Sequence, residues 1–98
     1  MALKDKYSFD NLKNEAENLI LDELERQLEA YSLPVCKCND CVTDMAALAL
    51  NSVKPLYRVS LLGSLYTASA MDKKAYATSV RDAVFKAVEK IRKNPSHE

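Results

Sequence analysis

The chain has 98 residues, and its 14 Lys and Arg are balanced by 14 Asp and Glu, so it makes one small domain with no bulk charge for holding nucleic acid. At 48% hydrophobic and 29% charged it is too apolar for a disordered segment, and one Gly with three Pro excludes the turn density of a β-sandwich or barrel. A mainly α-helical domain spanning 1–98, ordered from about 8 to 94, is expected, and a core this modest invites a metal or a second subunit as a staple.

From Asp10, apolar residues fall at Leu12, Ala16, Leu19, Ile20, Leu24, Leu28 and Tyr31. Separations of three and four draw one stripe on a helix running from about Asp10 to Tyr31, capped by Ser8 or Asp10 and stopped by Pro34. Leu33 to Lys37 then reads as a connector. Asn39 is an N-cap candidate for a second helix, Asp40 to Val53, with Asp40 at its positive end. Val42, Met45, Ala46, Leu48, Ala49, Leu50 and Val53 crowd every face of that helix, which points to a buried central position.

Pro55 ends the second helix. Tyr57, Val59 and Leu61 alternate with Arg58 and Ser60 in the period of a strand, and Gly63 offers a turn before Leu65 to Thr67. A short β ribbon or hairpin is therefore expected here, needing helices or another chain to cover it. The third helix begins near Ser69 or Asp72, and its stripe is Tyr76, Val80, Ala83, Val84, Ala87, Val88 and Ile91. Three principal helices and the ribbon make up the expected fold.

Charge is uneven along the chain. Residues 1–34 hold four basic and eight acidic side chains, whereas residues 71–98 hold seven and four. The first and third helices can therefore lie side by side, although two solvated faces explain the same pattern more simply.

Cys36, Cys38 and Cys41 form the one constellation with definite chemistry. No segment reaches the roughly 18 apolar residues of a membrane span, and Met1 to Ser8 lacks the apolar stretch of a signal peptide, so a cytoplasmic location with no membrane association is expected. In a reducing compartment three cysteines within six positions favour metal over disulfides. A loop entering a helix can wrap thiolates at i, i+2 and i+5 around an ion. Cys36 and Cys38 come from the connector and Cys41 from the first turn, where unpaired N–H groups, the helix dipole and Lys37 stabilise sulfur charge. Soft sulfur donors favour zinc, which takes four ligands. The fourth stays open between Asp44, His97, water and a group from a second protomer. Three ordinary thiols, or a Cys38–Cys41 redox pair, are the weaker readings.

Catalysis is not expected. The single His sits near the C-terminal end, and there is no HExxH, no Gly-rich phosphate loop and no Ser/His/Asp set.

Leu21-Asp-Glu-Leu-Glu-Arg-Gln-Leu28, Cys36-Lys-Cys-Asn-Asp-Cys41, Asp44-Met-Ala-Ala-Leu-Ala-Leu-Asn51 and Pro55-Leu-Tyr57 together resemble the late competence development ComFB family over about Asn11 to Gly63. The likeness is to the Bacillus-type members that carry the cysteines. It implies a small, mainly helical, zinc-stapled homodimer, a non-enzymatic interaction or structural protein of the genetic competence programme for DNA uptake. A competence protein of unidentified nature is the implied partner, and direct nucleic-acid binding is disfavoured.

Cyanobacterial members of the same family are receptors for cyclic dinucleotides, which makes a receptor for cyclic di-AMP or cyclic di-GMP the alternative function. Those members carry a stretch resembling Ala-Leu-Asn-Arg-Leu-Pro-Pro-Leu-Tyr, and here it reads Ala49-Leu-Asn-Ser-Val-Lys-Pro-Leu-Tyr57. Asn51, Pro55 and Tyr57 carry over, whereas Ser52 replaces the arginine and Lys54 the first proline. The candidate ligand-binding residues are then Asn51, Lys54, Tyr57 and Arg58, with Lys54 and Arg58 as replacement cations and Tyr57 as a stacking surface. The competing role for Tyr57 is a buried anchor for the ribbon.

Overall fold

The computed structural model describes residues 2–59 and 73–95. Among them the elements follow in the order α1 (Leu3–Lys6), β1 (Lys13–Asn14), α2 (Ala16–Ala30), α3 (Asn39–Ser52), β2 (Tyr57–Arg58) and α4 (Lys73–Lys93). The mainly helical class is as expected. The short exposed α1 is an addition, since it lies before the region expected to be ordered and buries no residue.

Helices α2, α3 and α4 pack on one another around a single core. All seven residues of the expected α4 stripe are buried, from Tyr76 to Ile91. Helix α3 buries Cys41, Met45 and Ala49, one residue per turn, while Val42, Ala46, Leu48 and Leu50 are half-buried against the same core. The central helix is therefore α4 rather than α3, because α4 presents the wider apolar stripe. The largest fully buried side chains are Ile20, Met45, Val84 and Val88, with Cys41 beside them. Each such aliphatic side chain contributes about 1.5–3 kcal/mol of transfer free energy.

The first long helix starts later than its periodicity predicts. Its buried face is Ala16, Ile20 and Leu24, with Leu28 and Tyr31 half-buried, but Leu19 is 43% exposed and Leu12 lies outside the helix. The cause is a contact distant in sequence. β1 pairs antiparallel with β2, placing Lys13 opposite Arg58 and Asn14 opposite Tyr57. Asn14 Oδ1 then accepts from the N–H groups of Ala16 (3.1 Å) and Leu56 (2.8 Å), and Glu15 N–H donates to the Leu56 carbonyl (2.9 Å). Asn14 therefore satisfies one of the unpaired donors at the start of α2 while tying that start to the ribbon. Neither Ser8 nor Asp10 caps the helix, and Ser8 Oγ instead accepts from Asp10 N–H.

The expected short ribbon is present, with the strand at Tyr57 and Arg58 paired to β1; the turn expected at Gly63, and the segment beyond it to Thr67, lie outside the described residues. On the other side of β2, Tyr76 Oη donates to the Lys54 carbonyl at 2.6 Å and pins α4 to the end of the α3–β2 connector. Burial pushes the Tyr76 pKa up, which keeps that hydroxyl a donor.

Helices α2 and α4 do run side by side. Gln27 Nε2 donates to the Arg81 carbonyl (3.0 Å), and the Tyr31 hydroxyl donates to Glu89 while accepting from Arg92 Nε (2.9 Å). The ion pairs of α2 and α4, Arg26–Glu23 and Arg92–Glu89, stay within their own helices. The two helices are joined by apolar packing, by the Gln27–Arg81 carbonyl bond and by the hydrogen bonds of Tyr31 to the charged Glu89 and Arg92, and the Arg81 charge of α4 also helps to lower the Glu23 pKa of α2.

Candidate metal centre

The segment from Ser32 to Lys37 has no regular secondary structure and leads into α3. Cys38 is the N-cap of that helix, one residue earlier than the expected Asn39. It has extended backbone (φ −71°, ψ 163°), and its Sγ accepts from Cys41 N–H at 3.4 Å. Its carbonyl accepts from Val42 N–H at 3.0 Å, closing the first helical turn. Sulfur takes the capping position that a serine or aspartate oxygen ordinarily fills.

This cap brings the cysteines together. The three Sγ atoms all lie within 4.8 Å of one another, with Cys41 buried and Cys36 and Cys38 half-buried. None of the three is in a disulfide. Zinc–sulfur bonds of about 2.3 Å on a tetrahedron place sulfurs about 3.8 Å apart, so the cluster needs only a small contraction to hold such an ion. The donors are soft, and the positive end of the α3 dipole, with Cys41 N–H donating to Cys38 Sγ, favours charge on them. Three cysteines in this arrangement can hold a metal ion. Asp44 is half-buried one turn after Cys41, outside the sulfur cluster, and His97 lies outside the described residues.

The sequence profile of "Late competence development protein ComFB" matches residues 13–95. The chain belongs to the ComFB family. The structure is also similar to that of the late competence protein ComFB from Bacillus subtilis, with a TM-score of 0.68 and 26% identity over 87% of this chain and 92% of that one. No curated protein sequence matches.

Within this ComFB fold the remaining candidate residues do not converge as the cysteines do. Asn51 is exposed at the end of α3, and Lys54 is exposed with its carbonyl held by Tyr76. Tyr57 is 60% exposed, so it is not the buried anchor of the ribbon; Leu56, next to it, takes that place in the core. Arg58 pairs with Glu15 at 2.5 Å and lines a 260 Å³ cavity with Lys13, Asn14, Glu15, Glu17 and Asn18. Its Nε is buried and lacks a hydrogen-bond partner. Glu15 and Asn14 were invisible as site residues in the sequence, because what places them is a pairing with residues more than 40 positions away, and no local pattern announces that.

Among the described residues, no helix is long and apolar enough to cross a membrane.

Proposed function

We propose that this chain is a non-enzymatic structural and interaction module of the genetic competence programme, a single cytoplasmic domain over residues 1–98 that acts as a homodimer and holds zinc through Cys36, Cys38 and Cys41. The observation carrying this reading is the convergence of three sulfurs within 4.8 Å at the start of α3, in a chain of the late competence family. Thiolate donors select zinc over harder ions. Zinc held there supplies a cross-link between the connector and α3, a segment that apolar burial secures only through the half-buried Val35 and the cysteines themselves. Asp44, His97, water or a group from the second protomer completes the four ligands.

The dimer is supported by shape and surface. The chain measures 45 × 37 × 18 Å, and its shortest dimension is under two helix diameters of about 10–12 Å each. Large apolar side chains such as Leu19, Leu21 and Phe85 stand 43–52% exposed on its faces, more than a solitary thin slab can easily cover. A second protomer and a competence protein are the partners of this surface. Sedimentation at tens of micromolar gives dimer on this reading and monomer against it.

The zinc reading is tested by thermal melts of protein purified without chelator, before and after a zinc chelator is added. A lower Tm after chelation, restored by zinc and not by magnesium, supports it. Melts that superimpose sink it.

A cyclic-dinucleotide receptor is the second reading, favoured by the unpartnered Arg58 Nε beside Lys13 in the 260 Å³ cavity. Glu15 and Glu17 on the same wall oppose an anionic ligand. Calorimetric titration with cyclic di-AMP and cyclic di-GMP distinguishes the two, and a flat trace at high micromolar ligand removes the receptor.

A further inference from the structure

We propose that Cys38 and Cys41 form a thiol–disulfide couple, so that the metal cluster is also an oxidation site at which a hydroperoxide closes the first turn of α3 covalently and ejects the ion. The proposal rests on the metal reading above for its second half only; the disulfide itself needs the geometry alone.

Three observations carry it. The Cys38 and Cys41 sulfurs lie within 4.8 Å, and Cys38 Sγ accepts from the Cys41 backbone N–H, which holds it over the turn that carries Cys41. Residues three apart in a helical turn have Cα atoms roughly 5 Å apart, inside the span of about 4.4–6.8 Å that disulfides bridge. Burial then divides the labour: Cys38 is half-buried and reachable by a small oxidant, whereas Cys41 is 0% exposed. A buried sulfur is reached by its neighbour before it is reached from solvent.

The Cys38 thiolate attacks one oxygen of the hydroperoxide, the O–O bond breaks, and the departing alkoxide or hydroxide takes a proton from water. Cys38 becomes a sulfenic acid. The Cys41 thiolate attacks that sulfur, the S–O bond breaks, and hydroxide leaves to be protonated to water. Two electrons pass from the sulfurs to the peroxide. Cys36 remains a thiol, and one thiolate does not retain a metal that three held.

The test treats the full chain, zinc-loaded in one arm and metal-free in the other, with one equivalent of hydrogen peroxide. Alkylation and peptide mapping by mass spectrometry follow, with released zinc read by a chromogenic chelator. Both arms should lose two hydrogens, retain one alkylatable thiol at Cys36 and yield a Cys38–Cys41 cross-linked peptide, with zinc released in step with the cross-link. Cys36→Ser should still form the cross-link, and Cys38→Ser and Cys41→Ser should not. Dithiothreitol should restore the thiols and zinc uptake. Sulfinic or sulfonic acids, a bond through Cys36, intermolecular disulfides or no reaction overturns the proposal, and folded protein confirmed by circular dichroism keeps each variant informative. If the zinc arm cannot be loaded while the metal-free arm still forms the Cys38–Cys41 bond, the metal reading fails and the couple stands. If zinc loads and no such bond forms, the couple fails alone.

Discussion

Helix α4 and the segment from Ser32 to Cys41 are held by different means. α4 buries seven residues at helical spacing and needs nothing beyond apolar packing to define its face. The connector has no ladder of backbone hydrogen bonds and places only half-buried Val35, Cys36 and Cys38 against the core before Cys41 enters it. Periodic burial fixes an element through many small contributions spread along its length, whereas a loop of this kind depends on a few strong bonds at one point. Core mutation should therefore act through α4 and its neighbours, and metal removal through the connector.

The largest expected effect lies on the packed side. Ile20→Ala removes a 0%-exposed side chain of α2 and should cost about 2–5 kcal/mol in urea unfolding. All three long helices should lose protection together, since they share one core. Next comes the connector. Cys38→Ser should lower Tm and zinc retention, and hydrogen exchange should quicken over residues 33–42 while α4 keeps its protection; uniform loss across the molecule would erase the distinction between the two regions. Asp44→Ala should weaken zinc retention if that carboxylate is the fourth ligand and leave it unchanged if His97, water or a second protomer supplies it, and truncation after Asn94 should weaken it if His97 does.

How much of this was legible in sequence follows the same division. The α4 stripe and the cysteine cluster could be read directly, the first because seven apolar residues repeat at helical spacing and the second because three thiols occupy six positions before a helix. What could not be read was non-local. Leu12 extends the α2 stripe perfectly well, yet the pairing of Lys13 with Arg58 takes the backbone out of the helix there. Tyr57 has the size of an anchor, but strand alternation and the burial of Leu56 turn it outward. The crowding of α3 was visible, whereas its half-buried state depended on how far α4 covers it.

Smaller effects sharpen the boundary between the two regions. Asn14→Ala removes the acceptor of two N–H groups and should cost about 2 kcal/mol at about 1 kcal/mol per bond, read by chemical denaturation. Tyr76→Phe deletes the hydrogen bond to the Lys54 carbonyl and should cost about 1 kcal/mol, leaving zinc content untouched. The smallest effect is electrostatic. The hydrogen bond and charge of Arg26 hold the Glu23 carboxyl below its usual range, despite the opposing effect of burial. With its folded pKa depressed, Glu23 contributes stability that is present above the unfolded value of about 4.3 and is lost as pH falls through the folded one. Glu23→Gln should therefore lower stability slightly at neutral pH, where the ionised carboxylate contributes, and flatten the acid limb below about pH 4.3 so that the two stability–pH curves converge.

Zinc K-edge X-ray absorption on protein purified without chelator reads directly whether the three cysteines at the start of α3 hold a zinc ion. About one zinc per chain is expected, with three sulfur neighbours at about 2.3 Å and a fourth, lighter neighbour near 2.0–2.1 Å. Zinc absent from folded protein, or a shell of nitrogen and oxygen alone, would contradict it.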